Sequence, residues 1–230
     1  MQAYKNDQSF KDALVAEMQW HYDQDKIVSG TYGENCTNGD FRGCSIACAI
    51  HSLAKIHGRQ LNTSSHQTLA NELDIPVDLC HLNDAVFESL RGEKQRLFPG
   101  RFFKAIRPGA DLSMITPQFV YFMLSTEVKP TRYPQFQAFI DAVTAIYEEW
   151  TRTGTRPVAD RADRAYRADR AGLADLADRA DLADLADLAD LAYRAYLADL
   201  ADLADLAYLA YLADLADLAS DKLIALLVAA

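Results

Sequence analysis

The chain of 230 residues has few cysteines, no long apolar run and more acidic than basic residues. Its four cysteines are at positions 36, 44, 48 and 80. The opening, MQAYKNDQSF, is polar and unlike a signal peptide. We therefore expect a protein of the cytoplasm, where cysteine thiols stay reduced. No apolar run reaches the roughly 18 residues of a membrane span, so we expect no membrane partner. The net charge is −10, from 23 Lys and Arg against 33 Asp and Glu, which argues against direct binding of nucleic acid.

Proline does not occur after Pro157, and the only glycine after Gly154 is Gly172. The composition changes at the same place, from a diverse sequence to one made almost entirely of Ala, Asp, Leu and Arg. Gly154 and Pro157 lie in the segment TRTGTRP, which is typical of a linker. The sequence therefore predicts a compact domain at 1–150, a linker at 151–157 and a repeat tail at 158–228.

The compact domain is predicted to be all-α, with at most a minor β-hairpin. Its first segment places Phe10, Leu14 and Met18 at helical spacing, and the apolar segment CSIACAIHSLAKIHG ends at Gly58, a common helix terminator. The glycine-rich stretch IVSGTYGENCTNGDFRG between them predicts a loop, which would contain any hairpin. Prolines separate several of the later helices. The predicted helices span 8–26, 44–58, 64–74, 77–91, 97–106, 117–126 and 134–152.

The tail repeats with a period of three. Ala recurs at every third position from Ala159 to Ala219, and Ala, Leu and Arg all favour an α-helix. Three residues turn an α-helix by about 300°, so successive Leu side chains drift around the helix and form no fixed apolar face. Such a helix is more stable among other helices than alone. A 3₁₀-helix, whose turn matches the triplet, is the main alternative, followed by a β-solenoid or disorder.

We therefore expect the protein to form a homo-oligomer through residues 158–228. The alternative is that the tail is a low-complexity expansion that the protein tolerates without using it.

The densest group of chemically active residues lies around the second helix. Cys44, Cys48 and His51 are spaced i, i+4 and i+7, which places them on one helix face. This group has three interpretations: the two cysteines are buried core residues, one of them is a reactive thiol, or the group binds a metal. The spacing matches no established zinc signature, so these residues are weak metal candidates, and we expect neither a metal nor a cofactor.

Cys44 is the best candidate for a reactive thiol, because a helix N-terminus lowers the pKa of a thiol. A base is also needed, and His21, His51 or His81 can serve only if the fold brings one close. His21 is preferred, since Asp25 lies four residues later and can hold its ring in one tautomer. The predicted catalytic set is thus Cys44, His21 and Asp25.

A second group follows Cys80, where His81 precedes Asp84 and Glu88. The two carboxylates are spaced i, i+4 on a predicted helix. Paired carboxylates can perform acid–base or metal chemistry, although a solvated helix face explains the same pattern. His66 is predicted to lie at the surface near a helix end.

Several motifs taken together resemble a family of proteins from bacteriophages, prophages and bacteria that has no established activity. The motifs are H-x₃-D-x₄-G-x-Y from His21 to Tyr32, R-G-C-x₃-C from Arg42 to Cys48, LNDAVFESL at 82–90 and FKAIRPGADL at 103–112. Members of that family are similar in carrying an Ala-rich repetitive C-terminal tail. The resemblance implies a phage or mobile-element setting inside a bacterial host. The candidate binding residues are Tyr32, Arg42, Cys48 and His51.

These observations predict a non-enzymatic accessory protein of phage type, one that interferes with host defence. Its compact domain would bind a host protein or a small molecule, and its tail would join several copies. One alternative is a thiol- or metal-dependent hydrolase that uses Cys44 with His21 and Asp25. Another is an acidic mimic of DNA that blocks a nucleic-acid-binding protein.

Overall fold

The computed structural model describes residues 1–33, 41–127, 137–156 and 206–230. No strand occurs in these ranges, where an isolated parallel bridge joins Ile27 to Gly43, so the all-α prediction is confirmed. A short helical turn, Ala3–Asn6, opens the chain, and a π-helical turn, Met123–Glu127, follows the sixth helix. The helices are α1 (Gln8–Asp23), α2 (Ser45–His57), α3 (His66–Leu73), α4 (Val77–Ser89), α5 (Gly92–Ala105), α6 (Ile115–Phe122), α7 (Gln137–Thr153) and α8 (Leu206–Ala229).

The helix ends have local causes that are visible in the sequence. The Asp7 carboxylate accepts a hydrogen bond from the Phe10 N–H and caps α1, and the Ser65 hydroxyl caps α3 in the same way. Gly58 adopts a left-handed conformation, with φ of 62°, and terminates α2 as predicted. Within the described residues, no helix is long and apolar enough to cross a membrane.

The chain divides into two compact units, residues 1–116 with 210–230, and residues 117–209. In the first unit α2 contacts α1, α3 and α4, and its side chains from Ser45 to Ile50 are all buried. In the second unit α7 buries Val143 and Tyr147, and it continues to Thr153 through the start of the predicted linker.

The last helix, α8, belongs mainly to the first unit. Arg101 on α5 forms an ion pair of 2.9 Å with Asp221. Leu215 is buried at 8% exposure, whereas Leu218, one triplet later, is 37% exposed, as expected from the drift of a three-residue repeat around an α-helix. After Leu218 the triplet is lost, and Leu223 and Leu227 return to one buried face at a spacing of four.

The final triplets, residues 206–219, are therefore α-helical. The repeat from 158 to 205 lies outside the described residues. Its helix type and the predicted self-association stay predictions.

Candidate functional site

Cys44 lies at the start of α2, where a loop holds it in place. The Cys44 N–H donates to the Thr31 carbonyl at 2.8 Å, and the neighbouring Gly43 exchanges backbone hydrogen bonds with Lys26 and Val28. An alanine at position 43 would place its Cβ 2.7 Å from the Ala47 Cβ, so the close approach of this loop requires glycine. The result is a nearly inaccessible thiol beside residues 30–32 of the loop.

Two carboxylates of α4 approach this thiol. Asp84 and Glu88 lie one helical turn apart, and one oxygen of each, together with Cys44 Sγ, forms a group of three atoms that all lie within 4.8 Å of one another. The i, i+4 spacing that suggested paired carboxylates thus places both on the face of α4 nearest Cys44. No other group of His, Cys, Asp and Glu with this metal-ligand geometry was found in the part of the chain that the structure describes.

Asp84 is held through one of its two oxygens. Its Oδ2 atom accepts hydrogen bonds from the Tyr32 hydroxyl at 2.8 Å and from His66 Nε2 at 3.0 Å, whereas its Oδ1 atom is buried and accepts from neither. Burial raises the pKa of Asp84, but the hydrogen bonds from His66, Tyr32 and the Cys44 thiol bring it below its usual value. His81 stacks on His66, with ring centroids 4.1 Å apart.

Glu88 is held by the loop that precedes Cys44. The Gly30 N–H lies 3.1 and 3.2 Å from the two carboxylate oxygens of Glu88, and burial raises the pKa of this carboxyl group. Cys44, Asp84 and Glu88, with Tyr32 and His66, are called the Cys44 cluster below.

The thiol of Cys44 is not activated in the way the sequence suggested. The N–H groups of Ala47 and Ile46 lower its pKa, as expected at a helix N-terminus. Burial has the larger effect, the nearby Asp84 carboxylate adds to it, and together they raise the pKa of Cys44 to about 12. The thiol is therefore protonated at neutral pH.

The other predicted catalytic residues lie apart from each other. His21 is fully buried, and its Nε2 atom lies 3.3 Å from His51 Nδ1. Asp25 is exposed and pairs with Arg96. The structure does not bring Asp25 to His21, because α1 ends at Asp23 and Asp25 takes a left-handed conformation, with φ of 53°. The predicted pairing of the two residues was wrong.

The predicted binding residues fall in different places. Tyr32 belongs to the Cys44 cluster, while Arg42 lies at the surface. Cys48 is buried one turn into α2 and donates to the Gly43 carbonyl at 3.2 Å, and His51 stacks on Phe41. The group with metal-ligand geometry is therefore Cys44 with two carboxylates, and not the predicted weak candidates Cys44, Cys48 and His51. Cys36 lies outside the described residues.

One member of the cluster was missed. His66 was expected at the surface, but its side chain is mostly buried against Asp84. Its position as the first residue of α3 was predictable from the Ser65 cap, but its partner was not.

No protein-family model, curated protein or solved structure matches this chain. The resemblance to the bacteriophage and bacterial family stays a prediction, and the Cys44 cluster is the basis for a function.

Proposed function

We propose that the protein is a hydrolase and that the Cys44 cluster is its active site. One observation carries the proposal: a thiol, two carboxylates, a phenol and an imidazole converge from four separate parts of the chain. Tyr32 comes from the loop, Cys44 from the start of α2, His66 from α3, and the two carboxylates from α4. Burying polar groups costs free energy, so such a convergence with shifted pKa values is typical of an active site.

The arrangement suits the hydrolysis of a carboxylic ester or amide. Asp84 is oriented by two donors and can accept a proton from an attacking water. The water oxygen bonds to the carbonyl carbon, the bond to the leaving group breaks, and the proton passes through Asp84 to that group. Two carboxylates repel phosphates, so an uncharged or cationic substrate fits best.

The hydrolase is preferred here over the predicted non-enzymatic accessory protein. Assembly through the repeat depends largely on residues 158–205, which lie outside the described ranges. Binding of a host protein was assigned to the compact domain, where no described contact indicates such a partner. The role of a DNA mimic depends on net charge alone. The Cys44 cluster, in contrast, supports chemistry through named contacts.

The test is to assay the full-length protein against a panel of nitrophenyl esters and aryl amides. Asp84→Asn, which removes the proton acceptor, should lower the rate by about a hundredfold or more. Cys44→Ala, which removes the thiol that hydrogen-bonds to this carboxylate, should lower it as well. Cys80→Ala, which removes a buried thiol of α4 outside the cluster, is the matched control and should keep the rate. Hydrolysis that survives both substitutions, or no hydrolysis of any substrate in the panel, would contradict the proposal.

A further inference from the structure

We propose that the Cys44 cluster binds one divalent cation, for which zinc has the fitting chemistry. Its ligands are Cys44 Sγ and one carboxylate oxygen each from Asp84 and Glu88. The site deepens the hydrolase proposed above, and only its catalytic consequence rests on that proposed function.

The geometry of the three ligand atoms is the first support. They lie within 4.8 Å of one another, and they come from the start of α2 and one face of α4. Zinc binds sulfur and oxygen at roughly 2.0–2.3 Å, which separates its ligands by roughly 3–4 Å. The three atoms therefore lie close to the separation that binding of one ion requires.

An independent support is the unequal use of the two Asp84 oxygens. Oδ2 accepts from Tyr32 and His66, while the buried Oδ1 accepts from neither, and the Cys44 thiol is the other hydrogen-bond donor to this carboxylate. A thiol is a weak donor, whereas a cation is a partner of matching charge for a buried carboxylate oxygen. Carboxylates that ligate metals are in turn held by hydrogen bonds from an outer shell of residues, and Tyr32 and His66 occupy that position.

Electrostatics give the third support. Three groups that can each carry a negative charge lie within 4.8 Å of one another, and Cys44 is only 1% exposed. The guanidinium of Arg91 donates to the backbone carbonyls of Glu88 and Leu90. A cation with two positive charges would take the place of the thiol proton and stabilise all three anions.

The cation would also complete the active site. Three protein ligands leave one position of a four-coordinate zinc open, which is the usual arrangement of catalytic zinc. A cation held by these three residues would supply a water that releases its proton to solvent near neutral pH, and Asp84 would then act as a ligand instead of the base. Cys44 would then serve as a ligand instead of a nucleophile.

The test uses the full-length protein, stripped with a chelator and reloaded. Zinc content by mass spectrometry should reach one ion per chain, and cobalt loading should give a sulfur-to-cobalt charge-transfer band. Cys44→Ser should abolish the band, and Glu88→Gln should lower zinc affinity. His66→Gln should lower it about 10- to 100-fold. Asp78→Asn, a carboxylate change on α4 outside the cluster, is the matched control and should change neither. Circular dichroism checks that each variant folds.

The outcomes separate the two proposals. Failure to retain one zinc per chain, or a cobalt band that persists in Cys44→Ser, overturns the cation site. Cys44-dependent hydrolysis in chelator-stripped protein also overturns it, yet leaves the hydrolase standing. A Cys44-dependent cobalt band in a protein that hydrolyses no substrate supports the cation site and overturns the hydrolase.

Discussion

His66 Nε2 lies 3.0 Å from Asp84 Oδ2, and this bond joins the first turn of α3 to the middle of α4. A carboxylate oxygen only accepts hydrogen bonds, so the bond requires the proton of the imidazole on Nε2. Tyr32 donates to the same oxygen, which leaves Asp84 Oδ1 for a ligand or a substrate. Asp84 is thus fixed from one side by residues 18 and 52 positions away in the chain.

The hydrogen bond from Tyr32 to Asp84 should contribute measurably to stability. Tyr32→Phe removes a donor to a mostly buried carboxylate, so we expect a loss of about 1.5–3 kcal/mol in the free energy of unfolding, measured with urea. Tyr22→Phe is the matched control, since its hydroxyl bonds to Glu93 at the surface. Equal losses of stability in the two variants would show that the hydrogen bond from Tyr32 stabilises the fold no more than the surface bond of Tyr22.

Gly43 should be required for the placement of Cys44. In Gly43→Ala the new Cβ meets the Ala47 Cβ at 2.7 Å, so the start of α2 must shift, at a cost of about 1–3 kcal/mol. Gly100→Ala is the control, because nothing lies within 4 Å of its new Cβ and the residue is helical. It should be neutral or slightly stabilising. Thermal unfolding of the two variants makes the comparison, and a wild-type midpoint in Gly43→Ala would contradict the expectation.

His21 should make the fold sensitive to mild acid. Burial, followed by His51 and two lysines, lowers its pKa from 6.5 to about 4 in the folded chain. The unfolded chain therefore takes up a proton first, and stability is lost as the pH falls from 6.5 toward 4, by up to about 1.4 kcal/mol per pH unit. Urea unfolding at several pH values should show this slope. His21→Leu should reduce it, and an identical slope in the variant would assign the effect to other groups.

Leu223 should contribute more to the stability of the fold than Leu218, although both lie on α8. Leu223 is fully buried, so Leu223→Ala should destabilise the first unit by about 2–5 kcal/mol. Leu218→Ala is the matched control, and as a partly exposed residue it should cost much less. Urea unfolding followed by circular dichroism gives both values. Equal losses would mean that α8 is not packed as described.

Self-association through the repeat can be tested without removing α8. An internal deletion of residues 160–204 keeps the part of the chain that packs into the first unit, and we expect its mass in solution to fall to that of a monomer. A deletion of only 177–185, three triplets, is the control and should keep the assembly. If the wild-type chain and the long deletion have the same oligomeric state, the prediction of assembly through the repeat is wrong.

The helices of the compact domain were predictable, because their signals are local. Each helix predicted between residues 8 and 152 has a counterpart within a few residues, and α5 begins earlier than expected, at Gly92. The Ser65 cap, Gly58 and the spacing of Phe10, Leu14 and Met18 act within one or two helical turns. The all-α class follows from such signals alone.

The candidate site was predictable only in part. Cys44 and the pair of Asp84 and Glu88 could be singled out from residue type and spacing, whereas Tyr32 was named only through the resemblance to the bacteriophage and bacterial family. Asp25 was chosen as the partner of His21 because the two are four residues apart, a rule that fails where the helix ends before the second residue.

By itself, the sequence determined the helices of the compact domain, the shared helix face of Asp84 and Glu88, and the drift of the leucines in the final triplets, because each depends on neighbours a few residues away. Only the tertiary structure decided which residues meet Cys44, and that burial outweighs the helix N-terminus in setting the pKa of its thiol. Contacts across 52 residues, and the depth of a side chain below the surface, depend on how all the helices pack together. No local pattern carries that information.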